Sequence, residues 1–161
     1  MVDKAKKLKI YWDSNVWVAW ANNEDNLRPL CTAILKEAEA GNLRIVVGAL
    51  VYAEFAPQNE NVSRAFDQYL DRYLFIFVNL DRPIAKRARM FVERFEHLKG
   101  RDAVHLATAL HAKADVLHTF DKDLLRIASQ VDEIRICKPE WPSPQQRLLF
   151  DEAAATNDVG I

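Results

Sequence analysis

Apolar and polar positions along this chain follow two periods in turn, and the switches between them predict its elements. Leu8, Ile10 and Trp12 recur at every second residue, the spacing of a short strand, which ends where Asp13 and Ser14 offer side-chain oxygens to cap a following helix. Pro29 suits the first turn of a second helix, with Leu30, Ile34 and Ala38 on its apolar face and Gly41 as its stop. Leu43 to Val47 reads as a second strand. Ala49 to Phe55 then makes one or two helical turns, which must finish before Pro57 because proline disfavours helical geometry in the residue ahead of it. Glu54 rides on this short helix.

After the polar run from Gln58 to Asn61, Phe66, Tyr69, Leu70 and Tyr73 keep helical spacing, with Ser63 upstream as the expected cap, and Leu74 to Val78 follows as a third strand. Pro83 starts a longer helix that carries Ile84, Ala88, Phe91 and Phe95 on one face, and Gly100 supplies the break after it. The next helix is expected to begin at Arg101 or Asp102. Its stripe of Ala103, Leu106, Ala107 and Leu110 is built of residues small enough to let it approach a sheet closely. Val116 to Thr119 predicts a fourth strand, Asp121 caps a helix running through Ala128, and Ile134 to Cys137 predicts a fifth strand.

Strands alternating with helices predict an α/β layered fold, with a central, mostly parallel sheet of about five strands flanked by helices. Residues 1–138 form the expected domain and 139–161 a C-terminal tail, since Pro139, Trp141, Pro142 and Pro144 rule out a regular element at the junction. Within the tail, Arg147 to Ala155 has the makings of a short helix. Its Leu148, Leu149 and Phe150 would either pack on the domain or meet a partner.

Composition narrows the classes of function. With 161 residues and half of them hydrophobic, the chain can build a core without disulfides or a structural metal. Its formal net charge of -1 excludes a global polyanion binder, so any nucleic-acid site must be a local patch. Cys31 and Cys137 lack the paired spacing of zinc sites and suit a reducing cytoplasm. The lysines at the start are followed by an apolar stretch too short for a secretory signal, and no window approaches the roughly 20 apolar residues of a membrane span.

In an open parallel sheet, ligands bind outside the carboxyl ends of the strands, and this chain places acids there. Asp13 follows the first strand, Glu54 sits in the helix after the second, Asp102 opens the helix leading into the fourth, and Asp121 lies just past the fourth. Any one of them could simply cap a helix or sit solvated on its face. Four separate segments delivering carboxylates to one edge suggest a shared site. Clustered carboxylates repel unless a cation joins them, and an oxygen-only set without cysteine suits Mg²⁺ or Mn²⁺ better than zinc.

The blocks around these acids resemble the PIN-domain nucleases, and within them the VapC-type toxin ribonucleases. Tyr11, Trp12, Asp13, Ser14, Asn15 and Val16 look like the family's opening strand, and Val51, Tyr52, Ala53 and Glu54 like its helix-borne glutamate. The run from Arg101 to Ala109 is similar to the third block, and Thr119, Phe120, Asp121, Lys122, Asp123 and Leu124 to the fourth. Trp17 and Trp20 are bulkier than the aliphatic residues of the family's first helix, and the segment after Pro139 has no counterpart there. The resemblance implies a PIN-like three-layer fold and a metal-dependent endoribonuclease. It further implies a toxin of a type II toxin-antitoxin pair, with a cognate antitoxin that blocks the active-site groove and a homodimeric state.

On this reading Asp13, Asp102 and Asp121, with Glu54 directly or through water, bind one or two Mg²⁺ or Mn²⁺ ions that contact the scissile phosphate of RNA. Asn15 and Thr119 would steady a carboxylate or a bound water, or else cap locally, and Asp123, a weaker candidate ligand that points elsewhere on its helix, would be solvated or support the site from behind. Lys99 and Arg101 are candidates for the RNA backbone, or simply a solvated helix start. Phe66, Tyr69, Phe91 and Phe95 keep core spacing rather than forming a base-stacking platform. A catalytic role for His105, His111 or His118 is not expected. The competing readings are a PIN-fold RNA-processing nuclease outside a toxin-antitoxin pair, a noncatalytic RNA-binding protein of the same fold, and an aspartate-based phosphatase, which Asn15 disfavours by standing where a second aspartate is needed.

Overall fold

A computed structural model describes residues 6–57, 59–71 and 75–141 of the chain. The first strand is β1 (Leu8–Trp12), and Asp13 caps helix α1 (Ser14–Asn22) by accepting a hydrogen bond from the Val16 amide at 3.1 Å. A 3₁₀ turn at Glu24–Asn26, unmarked by the hydrophobic pattern, leads into α2 (Arg28–Glu39) with Pro29 in its first turn. Strand β2 (Leu43–Gly48), the short α3 (Ala49–Glu54), α4 (Glu60–Leu70) and β3 (Phe75–Val78) follow. Asp81 caps α5 (Arg82–Arg94), and then come α6 (Gly100–His111), β4 (Val116–His118), α7 (Lys122–Ile127) and β5 (Arg135–Cys137).

Two starts differ from the sequence expectation. Ser63 lies inside α4 rather than ahead of it, because the helix already begins at Glu60, where Asn59 accepts a hydrogen bond from the Asn61 amide. Gly100 is the first residue of α6 rather than a break after α5, which ends at Phe95 in extended geometry. The side chain of Tyr69, residues Tyr73 and Leu74, and the predicted tail helix from Arg147 to Ala155 lie outside the described residues.

The five strands are parallel throughout and stand in the order β3-β2-β1-β4-β5. Right-handed crossovers step outward from β1 through β2 to β3, then return past β1 to β4 and β5. That reversal puts α1 to α4 on one face and α5 to α7 on the other, a three-layer arrangement. The packing agrees, since α1 meets α2 and α3 while α6 meets α5 and α7. The direction of winding reverses between β1 and β4, so the crevice at their carboxyl ends is the topological switch point of the sheet. Asp13 follows one of these strands and Asp121 closely follows the other.

Alternation along β1 sends Tyr11 toward α6 and Trp12 toward α1. Trp12 and Trp17 meet edge to face at 5.0 Å, and Trp17 meets Phe66 of α4 in the same way at 5.0 Å. Trp17 therefore fills the layer between β1 and α4 completely buried, which accounts for its bulk in the first helix. On the other face Ala103, Ala107 and Ala109 are fully buried, and their small side chains bring α6 against β2 and β4 as the stripe predicts.

His118 on β4 is buried, and its Nδ1 accepts the indole N–H of Trp12 at 3.0 Å. Burial first, and Arg135 second, push its pKa from 6.5 down to about 4. The unfolded chain then binds more protons than the folded one between about pH 4 and 6.5, so this group's contribution is present above that window and lost as pH falls through it. Urea unfolding from pH 7 down to 4 should show a loss on the order of 3 kcal/mol attributable to this group. The loss is read as the difference in slope against His118→Gln, and parallel pH profiles for the two proteins would contradict the assignment.

Candidate active site

Asp13 sits at the turn from β1 into α1 and is 2% exposed. One carboxylate oxygen takes the Val16 amide, and the other takes the hydroxyl of Thr119, which is itself fully buried past the end of β4. Burial nevertheless dominates. It raises the pKa of Asp13 above the usual carboxylate value, with Thr119, His105 and Val16 pulling the other way and Asp121 adding to the rise.

Thr119 ties the two sides of the crevice together, since its oxygen also accepts the Asp121 amide at 2.9 Å. Asp121 in turn caps α7, with Oδ1 accepting the amides of Asp123 and Leu124 at 2.9 Å each. Facing it is Asp102 in the first turn of α6, 7% exposed, whose pKa is raised by burial and then by the charge of Asp121. Among the described residues nothing donates a hydrogen bond to the Asp102 carboxylate, although Arg101 and Lys99 lower its pKa through space.

Glu54 is treated in the opposite way. Its Oε2 accepts the hydroxyl of Ser14 and meets His105 Nε2 at 3.0 Å, while Oε1 pairs with Arg101 Nε at 3.0 Å. The hydrogen bond from His105 is the largest influence and holds Glu54 below its usual pKa, against the effect of burial. His105 is oriented in turn by the hydroxyl of Tyr11, 2.8 Å from its Nδ1. With Nδ1 accepting from Tyr11, Nε2 carries the proton and donates to Glu54. The phenol has room because position 48 is glycine, where a Cβ would lie 2.7 Å from the Tyr11 hydroxyl oxygen.

The structure therefore gathers Asp13, Asp102 and Asp121 in electrostatic contact and links Glu54 to them through Ser14 and His105. Thr119 donates to Asp13 and also accepts the Asp121 amide, so it combines a contact to a carboxylate with a local backbone contact. Asn15 is exposed and shows no hydrogen bond to the acids. Asp123 turns to Arg126 at 3.1 Å, away from the cluster, and Lys99 and Arg101 are both exposed at its rim. Pattern reading missed the positioning role of His105 and Tyr11. The available signal was that His105 lies one helical turn beyond Asp102, on the same face.

Among the described residues no three His, Cys, Asp or Glu side chains are arranged to hold an ion as they stand. Each acid but Asp102 is instead turned onto protein donors, as carboxylates that repel one another do. The donor set still suits a hard cation. It offers carboxylate oxygens, and the Asp102 carboxylate, partly desolvated but still open to the crevice, faces the charge of Asp121, a repulsion that a cation would relieve.

The pattern of the PIN domain family matches residues 10–130, three quarters of the chain and every one of these acids. The chain belongs to the PIN domain family. Solved PIN-fold neighbours include the crystal structure of VapBC2 from Rickettsia felis bound to a DNA fragment from their promoter, with a TM-score of 0.57 and 15% identity, covering 80% of this chain and 97% of that one. A toxin-antitoxin complex from Klebsiella pneumoniae has a TM-score of 0.57 and 17% identity, covering 81% of this chain and 98% of that one. FitAcB from Neisseria gonorrhoeae has a TM-score of 0.51 and 19% identity, covering 81% and 97%. Among curated proteins none matches this chain in sequence.

The raised pKa of Asp102 in this PIN domain means that its charge opposes folding at neutral pH, so removing the charge should help the metal-free protein. Differential scanning calorimetry at pH 7 with chelator should find a higher Tm for Asp102→Asn than for wild type. Millimolar Mn²⁺ should raise the Tm of wild type and leave the variant nearly unmoved. An equal Mn²⁺ response in both proteins would remove Asp102 from the ion's ligands.

Proposed function

We propose that this PIN domain is a divalent-metal-dependent endoribonuclease and the toxin of a type II toxin-antitoxin pair. The observation that carries the reading is Asp102, whose carboxylate opens to the crevice with no hydrogen-bond donor among the described residues and stands against the charge of Asp121 at the switch point, where a cation would replace repulsion with attraction. Asp13, Asp102 and Asp121 would hold Mg²⁺ or Mn²⁺, with Glu54 directly or through water. Such an ion supplies positive charge to the scissile phosphate and makes a bound water more acidic.

The chain's own residues prepare that chemistry. Thr119 holds Asp13 in place and braces the Asp121 backbone, so the carboxylates that flank the crevice move as one unit. His105 and Ser14 hold Glu54 ionised, the state in which it can accept a proton or a cation. Arg101 is committed to Glu54, whereas Lys99 remains on the rim with no ion-pair partner among the described residues. Lys99 is therefore the better candidate for the RNA backbone, and Arg101 could join it only by leaving Glu54. Asn15 is exposed beside Asp13 and free to contact a bound water or the RNA.

The toxin assignment is supported by the neighbours, one of them a toxin-antitoxin complex and another VapBC2 bound to DNA from its own promoter. It brings with it a cognate antitoxin and, as a family-level expectation, a homodimer. Two free cysteines suit the reducing cytoplasm in which such a pair would act. A PIN nuclease that processes RNA outside such a pair would use the same acids, and an adjacent reading frame for a DNA-binding antitoxin separates the two.

Cleavage of a structured RNA panel is the direct test. Wild type should cut with Mn²⁺ and stop with chelator, and Asp13→Asn or Asp102→Asn should lower the rate at least about 100-fold. Rates for Asp102→Asn equal to wild type would defeat the enzyme reading. Induced expression should arrest growth for wild type and not for Asp13→Ala.

A further inference from the structure

A groove of about 520 Å³ opens between α1, the turn after α3 and the start of α4, with Glu54 forming part of its wall. Its volume falls within the ~300–1,000 Å³ range of small-molecule sites. Val18, Phe55 and Val62 give it apolar sides, and among the described residues neither lysine nor arginine lines it. A phosphate would find no counter-charge there. Glu54 adds no open charge either, because Arg101, His105 and Ser14 already occupy its oxygens.

Two exposed amides also line the groove, and each is half engaged. Asn22 spends its NH₂ group on Glu24 at 3.2 Å, which leaves its oxygen as a free acceptor. Asn59 spends its oxygen on the Asn61 amide at 2.9 Å, which leaves its NH₂ group as a free donor. An apolar slot carrying one acceptor and one donor, with no charge to satisfy, matches a neutral planar ring whose edge presents both kinds of group. Every nucleobase has such an edge, and single-stranded RNA is read through it. An apolar side chain from a protein would instead bury both amides unsatisfied.

We propose that this groove is a nucleobase subsite, in which Asn22 and Asn59 select the nucleotide beside the scissile phosphate. The inference rests on the nuclease reading above, since Glu54 forms part of the groove wall and, through Ser14 and His105, borders the acidic crevice.

The test is a binding measurement that needs no cleavage. Asp102→Asn protein is titrated in Mn²⁺ against a fluorescent single-stranded RNA, intact or with one abasic position walked along it, and anisotropy is read. One abasic position should weaken binding about tenfold. Adding Asn22→Ala and Asn59→Ala should shrink that penalty to within about twofold while leaving affinity for the abasic RNA unchanged. Asn22 is exposed, whereas Asn59 also accepts the Asn61 amide at the start of α4, so Asn59→Asp, which keeps that oxygen and removes the NH₂ group, is run beside Asn59→Ala and should shrink the penalty alike. An undiminished abasic penalty in the double-amide variant overturns the proposal. So does equal weakening toward intact and abasic RNA, or amide-dependent binding of an amphipathic helical peptide in place of the RNA effect. If the abasic penalty responds as expected but wild type cuts no RNA in Mn²⁺, the subsite stands and the nuclease reading alone falls.

Discussion

The burial of like charges at one point of the sheet governs this molecule. Parallel strands wound outward in both directions from β1 leave a crevice between β1 and β4, and the chain brings Asp13 and Asp121 to its two sides. Asp102 closes it from α6. Burial raises the pKa of Asp13 and Asp102, and the charge of Asp121 raises both further, so the charges of Asp13 and Asp102 oppose the fold that holds them. A cluster held at such a cost is a mark of function rather than of stability.

Glu54 shows that the cost is selective. It lies at the same edge, yet His105, Ser14 and Arg101 hold it ionised, and the Tyr11 hydroxyl aligns the histidine that does most of this. Gly48 is part of the same device, because a side chain there would crowd the phenol. The site therefore holds two kinds of carboxylate. The aspartates are short of positive charge, whereas the glutamate is already supplied with it, a division suited to aspartates that bind a cation and a glutamate that assists from the side.

Much of this was legible before the structure. The two hydrophobic periods locate the five strands, and Asp13 and Asp121 each cap the helix the sequence assigns them, whereas Asp81, which caps the helix read from Pro83, is not singled out. The four acids stand out because four separate segments carry them, two just past strands and two on neighbouring helices. What the pattern hides is lateral: Tyr11, Gly48 and His105 look like core or turn residues until β1, β2 and α6 are packed together. Ser63 misleads for a related reason, since a hydroxyl is a capping signal only if the helix starts beside it, and Asn59 starts α4 earlier. Strand order itself is a tertiary outcome that no local period encodes.

Helix α6 shows how core and site constrain each other. Its alanines at 103, 107 and 109 are fully buried, so the helix axis lies close to the sheet. Only at that distance can His105 reach both Tyr11 and Glu54 while Asp102 faces Asp121. A larger residue on the buried stripe would push the helix outward and loosen both contacts at once, because interiors packed at crystal density transmit such strain rather than absorb it. The small residues that the sequence offers as packing are thus also what sets the reach of the acidic crevice.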